Sequence, residues 1–277
     1  MALFGAHVSS AGSILRTFER AEDLGAEMFQ FFLGSPRSWE RGRVSKKLVR
    51  KFEEGISRFG GPVVLHASYL INLASEREDL RRRSLERVVE DLIFCEEAGV
   101  HYYNLHPGRS PDPERGIRNL IASLEEVFSK VSLTRTTLIL ENTAGAKGDI
   151  GANIEELGKV VSWFGDQRIG VCIDTCHAFA YGYRINTPSG FKDFKRELEE
   201  FVGLDRVKLI HANDSKAPLG SRKDRHYHIG KGHIGEEGFR NFLKDPVLSR
   251  VPYCIETPME GSMDRENLNT LRRIYLS

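Results

Sequence analysis

Eight short apolar segments recur along the 277-residue chain and alternate with segments of helical periodicity. The apolar segments cover residues 3–8, 28–33, 62–67, 102–107, 137–143, 169–175, 207–213 and 252–257. Several are apolar throughout rather than alternating, which is typical of parallel strands that helices cover. Eight strand–helix units in series predict an α/β fold, a single (β/α)8 TIM barrel over residues 1–277 with no second domain.

The intervening segments carry the apolar spacing of amphipathic helices. They cover residues 13–25, 45–59, 84–93, 114–130, 153–164, 189–202, 236–244 and 264–275. Within 84–93 the apolar side chains fall at i, i+3, i+4, i+7 and i+8, which predicts one buried face formed by Leu85, Val88, Val89, Leu92 and Ile93.

Most of the predicted strands end in a side chain that can bind a metal. These strand-end residues are His66, His106, Glu141, Asp174, His211 and Glu256. In a parallel barrel the carboxyl ends of the strands meet at one mouth, where the active site lies. A lone strand-end carboxylate is usually a helix cap or a solvated loop residue. Several gathered in one cleft need a cation to offset their repulsion, so the pattern predicts a polynuclear metal site and therefore an enzyme.

The strand-end residues divide into two predicted groups. Carboxylates with one imidazole suit Zn²⁺, Mn²⁺ or Mg²⁺, and the first such set is Glu141, Asp174, His211 and Glu256. His66 and His106 lie next to the strand that bears Glu141 and favour another ion. Because a carboxylate has two oxygens, we expect Glu141 to bridge the two ions.

A third group is less sharply specified by the sequence. Asp224 and His226 form an Asp-x-His pair, and in extended backbone residues two apart point the same way. With His177, three residues after Asp174, they form a plausible water-accessible site, although Asp-x-His pairs are also common in ordinary loops. His7 ends the first predicted strand and is expected to line the centre.

Charge alone gives no support for nucleic-acid binding, because the net charge is +1 and the chain has no basic excess. Basic residues do cluster locally, at Arg37, Arg41, Arg43, Lys46 and Lys47 and again at Arg222, Lys223 and Arg225. Tyr69 and Leu70 follow His66, and Trp39 follows Arg37. These groups could stack on bases or simply pack their own loops.

The cysteine spacing and the lack of long apolar runs indicate where the protein works in the cell. Cys95, Cys172, Cys176 and Cys254 lack C-x-x-C spacing, so we expect buried free thiols. No apolar run approaches the ~18 residues of a membrane span, and the N-terminus lacks a signal-peptide pattern. We therefore expect a soluble, cytoplasmic monomer, with no membrane association and no protein partner implied.

Taken together, the motifs resemble the endonuclease IV family of apurinic/apyrimidinic endonucleases, and the likeness runs essentially end to end. The matching blocks are Gly5 to Ser9, His66 to Leu73, His106 to Gly108, Glu141 to Gly145, Cys172 to His177, His211 to Lys216, Gly220 to His226, and Glu256 with Thr257. Tyr181 and Arg184 depart from the family pattern, where Ala and Asp are more usual. Neither is a ligand position, so these departures bear on loop contacts.

The resemblance implies three Zn²⁺ ions per chain, with Mn²⁺ as an alternative at one or more sites. One would be held by His66, His106 and Glu141, a second by Glu141, Asp174, His211 and Glu256, and a third by His177, Asp224 and His226. It also implies a substrate, double-stranded DNA with an abasic site, into which Arg37, Tyr69 and Leu70 insert while the abasic nucleotide is flipped out. A metal-activated hydroxide, with Glu141 as catalytic residue, would cleave the phosphodiester 5′ to the lesion. The products would be a 3′-hydroxyl and a 5′-deoxyribose phosphate.

Two alternatives stay open at this point. Glu141, Asp174, His211 and Glu256 alone resemble the single-metal tetrad of sugar isomerases and epimerases, a reading that leaves the other histidines unexplained. A non-catalytic lesion-binding protein with structural metals is the second, although structural zinc sites are closed and usually rich in cysteine.

Overall fold

Eight parallel strands close into a barrel in the computed structural model, which describes residues 2–40, 42, 44–165, 168–258 and 260–277. The barrel strands are β1 (Phe4–His7), β2 (Met28–Phe32), β3 (Val63–His66), β4 (Tyr102–Leu105), β5 (Thr137–Glu141), β6 (Ile169–Asp174), β7 (Val207–His211) and β10 (Tyr253–Ile255). Each pairs in parallel with its sequence neighbour, and β10 closes the ring between β7 and β1. The prediction of a (β/α)8 barrel is confirmed.

Helices surround the barrel and connect its strands. They are α1 (Arg16–Leu24), α2 (Lys46–Phe59), α3 (Glu78–Ala98), α4 (Pro113–Lys130), α5 (Ile154–Phe164), α6 (Thr175–Tyr181), α7 (Pro188–Phe201), α8 (Gly235–Leu243) and α9 (Met263–Leu276). Two 3₁₀ turns, at Leu204–Arg206 and Leu248–Arg250, precede β7 and β10. The sequence analysis did not predict α6, which begins directly at the end of β6. It also missed the two-residue antiparallel pair of β8 (Asp214–Ser215) and β9 (His226–Tyr227).

The inside of the barrel is built in layers, and the layers explain how the site is placed. One fully buried apolar layer consists of Met28, Val64, Ile139, Cys172, Leu209 and Cys254. Two residues further along the same chain segments come Gln30, His66, Glu141, Asp174, His211 and Glu256. Because side chains two apart on a strand point to the same face, each of these polar residues continues the inward direction of the apolar residue before it. The apolar layer is therefore the floor of a polar site.

Close strand packing also constrains β1. A Cβ atom on Gly5 would lie 1.7 Å from the backbone oxygen of Met28, so only glycine fits beside β2 at this level. Gly5 therefore contributes no side chain to the apolar layer. His7 lies two residues later on the same face of β1.

One predicted helix face is partly wrong. Leu85, Val88 and Leu92 of α3 are buried, but Ile93 is 44% exposed. The buried stripe of this longer helix continues through Asp91, Phe94 and Cys95 instead. The four cysteines are free and buried, as predicted. Among the described residues, no helix combines the length and apolarity that crossing a membrane requires.

Candidate metal centre

The first group forms where β3, β4 and β5 end. Nε2 of His66 lies 3.4 Å from Oε2 of Glu141, and Nε2 of His106 lies 3.5 Å from the same oxygen. Glu141 and His66 are buried, while His106 is half-buried. Two imidazole nitrogens therefore converge on one carboxylate oxygen.

The second group surrounds His211 at the end of β7. Its Nδ1 lies 3.1 Å from Oε1 of Glu141, 3.3 Å from Oε2 of Glu256 and 3.8 Å from Oδ2 of Asp174. Glu141 thus directs one oxygen to the first group and the other to the second. This arrangement is the one that a bridging carboxylate requires.

The third group lies against the second. Asp224 Oδ2 is 3.4 Å from Nε2 of His177, and Asp224 Oδ1 is 3.1 Å from Nε2 of His226. Asp174 also reaches this group, with Oδ2 3.4 Å from Nε2 of His226. The Asp224 side chain is 58% exposed, so this group opens to solvent while the other two are more enclosed.

Asp174 combines two roles that the sequence analysis treated as alternatives. Its Oδ1 caps α6 by accepting a 2.8 Å hydrogen bond from the backbone N–H of His177, while Oδ2 faces the imidazoles. The cap anchors the first turn of α6, and that turn carries His177. Helix capping and site formation therefore use different oxygens of one side chain.

Backbone carbonyls hold three imidazoles in a defined orientation. Nδ1 of His66 lies 2.7 Å from the oxygen of Ala67, Nδ1 of His177 lies 2.9 Å from that of Asn142, and Nδ1 of His226 lies 3.0 Å from that of Glu256. Since a carbonyl only accepts, each Nδ1 must carry the proton. Each Nε2 is then left facing carboxylates, which is the orientation of a metal-ligating histidine.

The electrostatics of the centre follow from this close packing. Burial opposes ionisation of Glu141, but the surrounding imidazoles of His106 and His211 outweigh it and hold the pKa of its carboxyl well below its usual range. Burial likewise lowers the pKa of His226, but Asp174 and Asp224 raise it to about 9. The ionised carboxylate of Glu141 thus attracts positive charge.

Side-chain amides support the ligand candidates from outside, and the sequence analysis did not assign them this role. Asn104 donates to Oε2 of Glu141 at 2.5 Å, and Asn213 donates to Oδ2 of Asp174 at 2.8 Å. Gln30 donates to Oε1 of Glu256 at 2.6 Å, where Nδ1 of His7 also lies 3.1 Å away. His7 therefore lies against Glu256 at this end of the barrel. A signal for Gln30 existed, because it is the one polar residue within an otherwise apolar strand.

The ligand-bearing loop after β7 is held by a buried aspartate. Asp214 accepts backbone hydrogen bonds from Ser215 and Ile234 on Oδ1, at 2.7 and 2.9 Å. Its Oδ2 accepts from Gly232 and Gly235, at 2.9 and 3.2 Å. The β8–β9 pair brings His226 back beside this anchor. The loop that supplies Asp224 and His226 is therefore fixed at both ends.

A cleft of about 540 Å³ opens beside the first and third groups. Tyr69 and Leu70 line it together with His106, His177 and Asp224, among others. Tyr69 is 56% exposed, which is unusual for a large aromatic side chain. An apolar rim thus stands directly over the candidate ligands.

The loop after β2 contacts this rim. Backbone N–H of Tyr69 donates to the oxygen of Pro36 at 3.1 Å, next to the exposed Arg37. The guanidinium of Arg83 on α3 stacks on Trp39 at 4.6 Å, and Trp39 also lines the cleft. Arg41 and Arg43 of the first basic cluster lie outside the described residues.

The donor set fits zinc. Ligand atoms about 2.0–2.1 Å from a tetrahedral zinc ion lie about 3.3 Å from one another, and the nitrogen–oxygen separations in the three groups include 3.3, 3.4 and 3.5 Å. Nε2 of His226 is buried and has no hydrogen-bond partner among the described residues, although Asp224 Oδ1 is only 3.1 Å away. The two atoms are therefore close together but are not aligned for a hydrogen bond. Two ligands of one shared ion would show this geometry.

Fold and site together define a class of protein, the xylose isomerase-like TIM barrels, and this family matches residues 18–274. A D-tagatose 3-epimerase-like protein has the same fold, with a TM-score of 0.75 and 18% identity over 98% of this chain and 96% of that one. At that identity the likeness concerns the fold alone.

Nearer relatives are more specific. A probable endonuclease 4 of Aquifex aeolicus is 58% identical over 99% of this chain and 98% of its own length. The crystal structure of endonuclease IV from Thermus thermophilus has a TM-score of 0.87 and 37% identity, covering 98% of both chains. The chain belongs to the endonuclease IV family, which confirms the resemblance drawn from the motifs.

Proposed function

We propose that this protein is a metal-dependent DNA-repair endonuclease that hydrolyses the phosphodiester 5′ to an abasic site, leaving a 3′-hydroxyl and a 5′-deoxyribose phosphate. The observation that carries the proposal is the convergence of nine ligand candidates in overlapping groups at one end of the barrel, beside a cleft with an exposed tyrosine on its rim. Family membership supports the same activity.

The residues divide the task between them. His66, His106 and Glu141 would hold one ion, Glu141, Asp174, His211 and Glu256 a second, and His177, Asp224 and His226 a third, with zinc as the expected metal and manganese an alternative. Bound zinc supplies an activated water and neutralises phosphate charge. Asp174 is close enough to His226 to support the third ion as well as the second.

Glu141 is our candidate catalytic residue. Imidazoles hold its pKa well below the usual range, so its carboxylate stays ionised at neutral pH and can accept the hydrogen bond that orients an attacking water. Each of its oxygens faces a different group of ligand candidates, which supports the water-orienting role that we propose for Glu141.

The cleft accounts for lesion selectivity. An abasic nucleotide has no base to unstack or unpair, so extruding it costs less than flipping an intact one. About 540 Å³ of space beside the ligands can receive its sugar and phosphate. Arg37, Tyr69 and Leu70 would enter the duplex at the lesion, and the protein would act as a cytoplasmic monomer.

A sugar epimerase is the competing activity, because the second group alone supplies a single-metal tetrad. It leaves the first and third groups without a role. The geometry of those groups matches that of the second, with nitrogen–oxygen separations of 3.4 and 3.1 Å at His66 and His226. The nuclease therefore explains more of the centre.

The deciding experiment uses purified protein with its metal content quantified. We would incubate it with a duplex carrying one abasic site and with an undamaged duplex of the same sequence. Incision at the lesion alone, leaving a 3′-hydroxyl and abolished by prolonged chelation, with two to three zinc ions per chain, is the expected result. One metal per chain and no incision would refute the proposal and direct attention to ketose substrates.

A further inference from the structure

Gln30 is a buried amide in the middle of an apolar strand. It lies on β2 in the sequence Met28-Phe29-Gln30-Phe31-Phe32 and is 0% exposed. A buried amide is costly unless its polar atoms are satisfied, and an apolar residue would suit the strand better. The position therefore calls for a specific role.

Both ends of the Gln30 amide contact the second group. Nε2 lies 2.6 Å from Oε1 of Glu256, and Oε1 lies 3.0 Å from Nε2 of His211. Both oxygens of a carboxylate accept hydrogen bonds, and only the nitrogen of the Gln30 amide can donate one. The amide nitrogen must therefore face Glu256, which leaves the amide oxygen facing His211.

This orientation fixes the proton on His211. Because the Gln30 oxygen only accepts, Nε2 of His211 must carry the hydrogen. Its other nitrogen, Nδ1, faces Glu141, Glu256 and Asp174. His211 is thus oriented by a side chain, whereas backbone carbonyls orient His66, His177 and His226.

Gln30 also divides the oxygens of Glu256. Oε1 is held outward by Gln30 and by His7, with Nδ1 of His7 3.1 Å away. Oε2 points inward, 3.3 Å from Nδ1 of His211. One oxygen is therefore left available to the second group, in a fixed direction.

We propose that Gln30 is the positioning residue of the second metal group, holding His211 in the Nε2–H form and Glu256 with one oxygen turned inward. The inference rests on the proposed function, because it assigns a role at the same centre. Outer hydrogen-bond partners of metal ligands typically change metal affinity by about 10–100-fold, and we expect an effect of that size for one ion of the three.

The test is a zinc competition titration with a chromophoric chelator, made on the wild-type protein, Gln30→Met and Ser123→Ala. Methionine conserves volume but removes the hydrogen bonds to Glu256 and His211 and the contact between Gln30 Nε2 and Nδ1 of His7. Ser123 is a matched control, since it is a buried polar residue on α4 that donates to Leu73 at 3.1 Å, away from the centre. We expect one zinc ion to be released about 10–100-fold more readily from Gln30→Met, with Ser123→Ala unchanged.

Nitrogen NMR of the zinc-loaded wild-type protein keeps the proposal testable if Gln30→Met does not fold. We expect the hydrogen of His211 on Nε2, whereas a hydrogen on Nδ1 overturns the proposal. Unchanged affinity for every zinc ion in folded Gln30→Met also overturns it. If Gln30→Met has a lower affinity for zinc but the wild-type protein never incises abasic DNA, the Gln30 role is upheld and the nuclease is refuted. A wild-type protein that binds no zinc refutes both.

Discussion

Glu141 contacts more of the centre than its size suggests. Its two oxygens lie within 3.5 Å of four imidazoles, those of His66, His106, His177 and His211. Such a buried carboxylate has lost its hydration and depends on these partners for its charge. A change at this one side chain should therefore affect the first and second groups together.

Glu141→Gln tests the residue with the smallest change in shape. An amide is a poor bridging ligand and a poor proton acceptor, so we expect incision of abasic DNA to fall by at least about 10²-fold with an unchanged circular dichroism spectrum. Glu155→Gln on α5 makes the same substitution at an ion pair with Lys159 and should keep full activity. Near-wild-type cleavage by folded Glu141→Gln would remove the residue from the mechanism.

Tyr69 belongs to the rim rather than to the ligands. Loss of one stacking ring typically costs about 1–3 kcal/mol, so Tyr69→Ala should weaken binding to abasic duplex by roughly 5- to 150-fold while zinc content stays constant. Trp163→Ala removes an aromatic that is 63% exposed on the outer face of α5 and serves as the control. Equal affinities of Tyr69→Ala and wild type in a fluorescence anisotropy titration would exclude Tyr69 from lesion recognition.

Protonation of His226 links the centre to pH. Its pKa is raised from 6.5 to about 9 in the metal-free fold, so its contribution to stability is complete below pH 6.5 and is lost as the pH rises through 9. Zinc must displace that proton, so zinc affinity should rise over the same interval, by up to about tenfold per pH unit for one proton. Denaturant titrations of the chelated protein should give a lower free energy of unfolding at pH 9 than at pH 6.5. The substitution His226→Gln should reduce this difference.

At the scale of elements, the segment 216–234 connects β8 to α8, contains β9, and is held at two points. Asp214 anchors it at one side, and Arg222 anchors it at the other by donating to the oxygen of Gly145 and stacking on Tyr181 at 4.8 Å. Tyr181, which the sequence analysis singled out, therefore contacts this segment through Arg222. The ligands Asp224 and His226 lie between these anchors.

Asp214→Asn should loosen this loop without touching a ligand. Asparagine keeps one acceptor oxygen but turns an NH₂ group toward backbone donors of Gly232 and Gly235 or of Ser215 and Ile234. Buried donors left unpaired cost about 1–3 kcal/mol each. We expect a lower free energy of unfolding and selective loss of one zinc ion, measured by denaturant titration and metal analysis. Full zinc content with wild-type stability would show that Asp214 does not hold the loop.

The barrel and the meeting of the strand-end side chains at its mouth could be predicted from the sequence. The order of the strands and the two-residue period of their side chains are sufficient for that prediction. Gln30 and Asn213 escaped notice because amides act through neighbours that only the closed barrel brings together. The seven-residue helix α6 was missed because it is too short to show a period. Ile93 was misassigned because the prediction used only residues 84–93. The helix α3 is longer, and its buried face turns toward Asp91, Phe94 and Cys95 and away from Ile93.

For the whole molecule, metal removal should weaken the protein without unfolding it. The carboxylates retain imidazole partners in the metal-free fold, and the barrel core lies below them. A ligand present at 100 times its Kd stabilises the fold by about 2.7 kcal/mol, which corresponds to roughly 5–10 °C at this size. Calorimetry should show a drop of that order after chelation and its recovery with zinc. A chelated protein that has lost its barrel would contradict the expectation.

The shared position of Glu141 has a thermodynamic consequence. Its oxygens belong to one planar group, so an ion that orders the carboxylate from the first side has already ordered it for the second. The entropy of fixing that side chain is lost once for two binding events. Two ions held by the first and second groups would therefore bind as a linked pair, and each would change the affinity for the other by the same factor.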